Sequence, residues 1–380
     1  MGRSKASIGG APSGTMVPAP GGWLPDWERT VIAEAARAAL VPLARARAAH
    51  DPATPALVAV MRDEAGRLPG FLAHYRRLGI TLFALVDNGS ADGTPARLAA
   101  EPDVDLYRVD RPFWGKQGWI NALIARMGYD RWYLQVDADE RLVFDGEAEG
   151  RGLADLVRFA EAQGLRRLRG MLVDLYPPGP LLAPEAREPL FDAAGYAEAL
   201  CLERISRRGG PRPRAFGVDP ELTKYPLFHI REGELASTPH HLWPWAENYR
   251  SDCFLGLLHD KFGPGFRARA ARAAAEGNYW DGSREYRATL LALARAPFLS
   301  LAWSGSRRYR VPADLVAAGL VAPIPWPGRA PRPEGWLGGW RHRRAARTAL
   351  VAGPASPWQA APWQATSPSW STSPVRPDAT

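Results

Sequence analysis

Between Ala56 and Val136 the chain alternates short apolar runs of strand length with segments of helical period, and this alternation limits the fold more than any other feature. "ALVAVM" (56–61) reads as a strand. It is followed by "LPGFLAHYRRLG", in which Leu68, Phe71, Leu72, Tyr75 and Leu78 recur at helical spacing before Gly79. "TLFALV" is the next strand; it turns through "DNGSADGT" into "PARLAAE", where Pro95 suits a first helical turn. "VDLYRV" is the third strand. A helix with Ile120, Leu123, Ile124 and Met127 on one face then ends at Gly128, and "WYLQV" is the fourth strand. This order predicts a mixed, mostly parallel α/β sheet with helices on both faces, whose ligands bind beyond the carboxyl ends of the strands.

A further helix (Leu153, Leu156, Val157, Ala160) and the strand "RLRGMLVDLY" continue the pattern. Residues 176–250 read as loop-rich and 251–320 as a helical layer. Residues 1–22 are a Gly, Pro, Ala and Ser-rich lead, and 23–55 an extension with a helix over 26–49. Beyond about 322 a Pro, Trp and Ser-rich tail with a repeated "PWQA" is expected to be disordered.

Three polar clusters fall at strand ends: "RDE" (62–64), "DNGSADGT" (87–94) and "DADE" (137–140). The last raises the sharpest question, because three acids follow a buried strand. A polar turn is one reading. A divalent ion held by Asp137 and Asp139, neutralising the diphosphate of a nucleotide-sugar, is another, and Mg2+ or Mn2+ suits carboxylate oxygens. A third is an aspartate-nucleophile phosphohydrolase, but Glu140 and Arg141 follow the pair and three β-α units precede it. Neither acidic stretch has the spacing of a calcium loop.

The net charge of +8 and pI near 9.7 come mainly from arginine, which suits phosphates and anionic surfaces. Nucleic acid is not the expected partner, since the aromatics do not interleave with a basic stripe and no zinc-finger or RNA-recognition signature occurs. Cys201 and Cys253 make neither a disulfide scaffold nor a cysteine zinc site, in keeping with a reducing cytoplasm. The start lacks the apolar core of a signal peptide, and "TLLALARAPFLSLAW" is too short to span a bilayer; peripheral contact with a membrane stays open.

"VAVMRDEAGRLPGFLAHYRRLGITLFALVDNGSADGT", with "WYLQVDADERLVF" further on, resembles family 2 glycosyltransferases of the GT-A fold, a Rossmann-like architecture. More narrowly it is similar to a bacterial branch with H-Y-R-x-L-G, D-N-x-S-x-D-G-T and D-A-D-E in that order. The resemblance covers residues 55–145. It reaches more loosely to "LLHDKFGPGF" (257–266), "NYWDGSREY" (278–286) and "SRRYRVPADLVAAGL" (306–320). It implies a GT-A domain over 56–321, with a nucleotide-binding part (56–175) and an acceptor part (176–321).

The resemblance also implies a nucleotide-sugar donor, inversion at the anomeric carbon, a divalent metal, and a saccharide or lipid-linked acceptor, plausibly of the cell envelope. By it, Asp63 or Glu64 and Asp87 line the nucleotide pocket, Asp92 and Thr94 shape their turn, and Ser90 does either. Asp137 lies nearest the ribose and metal, Asp139 ligates the metal, and Glu140 positions the acceptor or pairs on the rim. His259 completes the metal shell, with His240 and His241 as rivals, and Lys261 meets the diphosphate. Inversion requires a base, and the acidic dipeptide many relatives use is missing here. Asp219 and Glu221 stand in for it, with Glu247 and Asp252 behind. Lys224 and the arginines of "RRGGPRPR" bind diphosphate or an anionic acceptor, or face solvent. A non-catalytic nucleotide-sugar or polyanion-binding protein on the same fold is the competing reading.

Overall fold

The structure, a computed structural model, describes residues 26–182, 189–200, 205–263 and 265–329. Its helices are α1 (Asp26–Arg37), α2 (Leu68–Arg77), α3 (Thr94–Ala100), α4 (Lys116–Met127), α5 (Leu153–Ala162), α6 (Pro211–Phe216), α7 (Phe266–Glu276), α8 (Trp280–Arg295) and α9 (Pro312–Ala317). The strands of the first half are β1 (Val41–Ala44), β2 (Ala56–Met61), β3 (Phe83–Asp87), β4 (Val104–Arg108), β5 (Arg131–Gln135), β6 (Glu140–Phe144) and β7 (Arg167–Asp174). Those of the second are β8 (Leu190–Asp192), β9 (Tyr196–Leu200), β10 (Ile205–Gly209), β11 (Thr223–Ile230), β12 (Leu235–Ala236), β13 (Leu242–Trp243), β14 (Cys253–His259) and β15 (Ser306–Arg308).

Nine strands form one mixed sheet in the order β1-β4-β3-β2-β5-β11-β7-β14-β6. β4, β3, β2 and β5 are a parallel block. β11 runs antiparallel to both β5 and β7, β14 lies parallel to β7, and β6 closes the far edge antiparallel to β14. The central strands are buried on both faces, which is why they read as continuous apolar runs. Along β2, Leu57, Ala59 and Met61 enter one core with Phe71, Leu72 and Tyr75 of α2 and Leu153 and Leu156 of α5. Ala56, Val58 and Val60 enter the other with Trp119, Ile120 and Leu123 of α4. Each large side chain so buried stabilises the fold by about 2 kcal/mol. α4 also lies close against α1: a Cβ on Gly118 would stand 2.5 Å from Cβ of Glu34, so only glycine permits this approach.

Several expectations need correction. The helix expected over 26–49 stops at Arg37, and Val41–Ala44 is an edge strand antiparallel to β4, a place where Pro42, without an N–H, is tolerated. The loop-rich stretch 176–250 contains β11, a central strand of the sheet. Pro226 sits where the β11–β7 register shifts, between Lys224 and Leu227, so the missing N–H falls at an irregularity of the ladder. Within the expected helical layer, Cys253–His259 is likewise a strand. The packed unit also passes the boundary expected at 321. Ala322, Ile324 and Trp326 are buried, and Asp145 accepts hydrogen bonds from the Ile324 N–H (2.9 Å) and from Arg329 (2.8 Å). The lead (1–22), Cys201 and the tail beyond 329 lie outside the described residues. Among those described, no helix is long and apolar enough to cross a membrane.

Candidate functional site

The loops after β2 and β3 are fastened to each other by hydrogen bonds to backbone amides. Ser90 Oγ accepts from the Asp63 N–H (2.9 Å), Thr94 Oγ1 from the Glu64 N–H (2.8 Å), and Asp92 from the Ala65 N–H (3.1 Å) and the Thr94 N–H (2.8 Å). Asp63 has both carboxylate oxygens engaged, one by the Ala91 N–H (2.7 Å) and the other by Arg272 of α7 (2.5 Å). Glu64 pairs with Arg67 at 2.7 Å; burial nevertheless outweighs that pairing and raises its pKa. Asp87 is fully buried; one oxygen accepts from the Ser90 N–H (3.2 Å), and the other meets no hydrogen-bond donor among the described residues. Gly89, at φ +68°, makes the turn possible in a conformation that favours glycine.

The loop after β5 has different partners. Asp137 is hydrogen-bonded to Lys116, the first residue of α4, and lies 3.3 Å from Nζ of Lys224 on β11. Lys224 also bonds Glu140, which starts β6 and is almost wholly buried. Glu140 therefore does not sit on the rim; its other oxygen accepts from the Asp137 N–H at 3.0 Å and helps shape the turn. Burial opposes charge on all these groups. For Asp137, Lys116 and Lys224 overcome it and hold the carboxyl well below the usual carboxylate range. For Glu140, burial together with the nearby Asp137 and Asp139 wins over Lys224, and its pKa rises. Lys224 is raised, because Asp137 and Glu140 outweigh its own burial.

Asp139 faces His259 at the end of β14, with Oδ2 to Nε2 at 3.4 Å. The other ring nitrogen, Nδ1, is 2.6 Å from Asp174 at the end of β7. Strand register produces this arrangement: His259 pairs with Glu140 on one side and Asp174 on the other. Burial pushes the imidazole down, but Asp139 and Asp174 outweigh it and raise its pKa to about 9. Burial is likewise overcome at Asp139, held low by His259 and then Arg67, and at Asp174, held low by Arg212 and His259. Arg212 of α6 donates to Asp174 (2.7 Å) and to Glu285 (3.2 Å), and Lys261 pairs with Glu285 at 2.9 Å. Lys261 is thus held by Glu285, with its ammonium 4.6 Å from the centre of the Tyr286 ring.

Of the expected metal ligands, Asp139 and His259 come together while Asp137 is committed to lysines. Among the described residues no group of three or more His, Cys, Asp or Glu side chains forms a metal cluster. The chemistry of the remaining pair does fit a divalent cation. A carboxylate and an imidazole face each other at 3.4 Å, close to the roughly 3 Å between neighbouring ligands in an octahedral shell. A carboxylate on the far ring nitrogen is the usual support of a ligating histidine.

The expected bases have other partners. Asp219 is exposed and its backbone accepts from Arg208; Glu221 accepts from Ser206 and from the amides of Arg207 (3.2 Å) and Thr223 (2.9 Å). Glu247 lies by Arg166 and Arg250. His240 Nδ1 is 2.9 Å from the Thr223 carbonyl, and His241 Nδ1 is 2.8 Å from the Thr238 hydroxyl. The "RRGGPRPR" stretch is no solvated loop, since Arg207 and Arg212 are buried. Sequence reasoning missed Lys116, Asp174, Glu285 and Asp260, and placed Arg212 with a ligand or in solvent where it pairs with Asp174. The one available signal was an Asp inside the apolar run "MLVDLY". Asp260 donates its amide to the Asp139 carbonyl (2.8 Å) and keeps a side chain 45% exposed at the site.

No protein-family model and no curated protein matches the chain. Among solved structures, the crystal structure of 4-diphosphocytidyl-2C-methyl-D-erythritol synthase matches with a TM-score of 0.25 and 16% identity, over 47% of this chain and 75% of that one. A likeness of that size carries no argument about this protein.

Proposed function

We propose that this chain is a GT-A-type glycosyltransferase that moves a sugar from a nucleotide-diphosphate donor to an acceptor hydroxyl, with inversion and with help from a divalent cation. The observation that carries the reading is the Asp139–His259 pair, braced by Asp174, at the carboxyl ends of the strands where α/β sheets bind ligands. Asp139 and His259 would hold the cation, which would supply Lewis-acid stabilisation of the departing diphosphate. Asp174 would keep a proton on Nδ1 of His259 when a cation displaces the one on Nε2, leaving Nε2 to ligate it. The unpartnered oxygen of buried Asp87 accepts a hydrogen bond from the base or ribose of the donor. Lys116 and Lys224 fix Asp137 in place, and Lys224 is shared with Glu140.

Asp260 takes the proton from the acceptor hydroxyl in place of Asp219 and Glu221. It is joined to Asp139 through the backbone, and its side chain is 45% exposed with Arg67 3.8 Å away, whereas Asp174 and Glu140 are buried against cations.

The test is calorimetric titration of the full chain with nucleotide diphosphates and their sugars, with and without Mn2+, for wild type and Asp139→Ala. Metal-dependent binding that the variant loses supports the reading. Folded protein that binds no member of a broad panel in a metal-dependent way overturns it. Asp260→Asn should bind the donor as wild type does and fail to transfer; retained transfer removes Asp260 from its role.

A further inference from the structure

A second concavity of about 790 Å³ opens between the β8–β15 pair and α9. Its lining includes Phe191, Trp303, Ser306, Arg307, Arg310 and Asp314. The one acid among these is turned inward, for Asp314 accepts from the amides of Arg310 (2.8 Å) and Val311 (3.1 Å) and caps α9. The guanidinium of Arg307 donates to the backbone carbonyls of Ser304 (3.3 Å) and Ser306 (3.0 Å) and pairs with no carboxylate among the described residues, and Arg310 is exposed. The concavity is therefore electropositive.

Its floor is fixed by a buried hydrogen-bond network. Asp192 is almost wholly buried and accepts from the Tyr176 hydroxyl, from Trp303 Nε1 (2.8 Å) and from Arg214 (3.2 Å). Tyr176 is also 2.8 Å from the Ser306 hydroxyl. The indole of Trp303 is thereby held by its nitrogen and covered by the Arg214 guanidinium at 5.0 Å, while the side chain stays 37% exposed. A rigid, half-open indole beside arginines is a surface for a ring that carries negative charge. The same elements reach the candidate site. Arg212 and Arg214 of α6 hold Asp174 and Asp192 respectively, and Tyr176 lies two residues beyond Asp174, about 7 Å along an extended chain.

We propose that this concavity seats an acidic sugar of the acceptor, its carboxylate or phosphate on Arg307 and Arg310 and its ring against Trp303. The proposal rests on the transferase reading for the word acceptor; the binding itself is measured without donor or metal.

The full chain is labelled with 5-fluorotryptophan and followed by fluorine NMR, the Trp303 resonance being the one lost in Trp303→Phe. Methyl glucuronide and glucose 6-phosphate distinguish carboxylate from phosphate, methyl glucoside is the neutral control, and inorganic phosphate tests for an anion without a ring. The expected result is a saturable shift of the Trp303 resonance with at least one acidic sugar. The Arg307→Gln, Arg310→Gln double variant, with its other tryptophan resonances unchanged, should bind about ten-fold more weakly. A neutral sugar binding as well as the acidic ones, inorganic phosphate matching them, or no shift with any sugar overturns the proposal. Donor binding lost with this shift intact removes the transferase reading alone; the converse removes only the acidic-sugar seat.

Discussion

Two acidic turns lie on either side of β2, after β3 and after β5, and they resemble each other in composition while their partners belong to different classes. In residues 87–94, Asp87 and Asp92 accept from backbone amides. In residues 137–140, Asp137, Asp139 and Glu140 face Lys116, His259 and Lys224. Amides within a turn fix its shape and cannot be exchanged without unfolding it. Cationic side chains balance charge, and a ligand or ion can take over part of that balance. Apart from the second oxygen of Asp87, which has no donor among the described residues, the first turn is therefore framework and the second is a site. Each substitution below tests whether that separation holds.

Lys224→Met should have the largest effect, because it leaves Asp137 with one lysine and Glu140 buried without a cation. A loss of about 3–5 kcal/mol is expected in urea unfolding. Unchanged stability would mean that the second turn holds no such electrostatic demand, and the contrast would collapse. Asp139→Asn should cost about 100- to 1,000-fold in transfer rate, with a loss in unfolding smaller than that of Lys224→Met because Asp174 still faces His259. The reverse pattern would make Asp139 framework as well.

The pH dependence of His259 sharpens the comparison. Its folded pKa of about 9 exceeds the ordinary value of 6.5, so its stabilising contribution in metal-free protein is complete below about pH 6.5 and is lost as pH rises through about 9. The loss is up to about 3 kcal/mol by unfolding at fixed ionic strength, and His259→Gln should abolish it. Mn2+ must displace the same proton, so its binding should weaken as pH falls. Asp92→Ala should have the smallest effect, about 1 kcal/mol from the lost amide contacts, with donor affinity kept. A large loss of donor affinity there would assign the first turn to the ligand.

The parallel block was legible because each strand is a short apolar run buried on both faces and joined to a neighbouring helix. β11 was hidden by Lys224, Pro226 and His229, which argue against a central strand when seen alone. Lys224 is tolerated there only because Asp137, in the turn after β5, and Glu140, at the start of β6, pair with it. The site was half legible for the same reason. Asp139 and His259 stand out by type, but Lys116, Asp174 and Arg212 matter through partners far away in the chain, and spacing does not reveal such pairs.

The place of β14 between β7 and β6 also sets an order of assembly. His259 meets both its register partners only when β14 has paired with β7 and with β6, the last two pairings in the order of the sheet, after a long excursion of the chain from Asp145 to Asp252. Until then Asp139 lacks its imidazole partner, although Lys224 of β11 already precedes β14 in the chain, and contacts so distant in sequence form slowly. The second half therefore acts as a latch. A nascent chain that stops short of Cys253 can gather the core around β2–β5 and holds Lys224 for Glu140, but Asp139 has no imidazole to face and β6 no strand to pair with until β14 arrives.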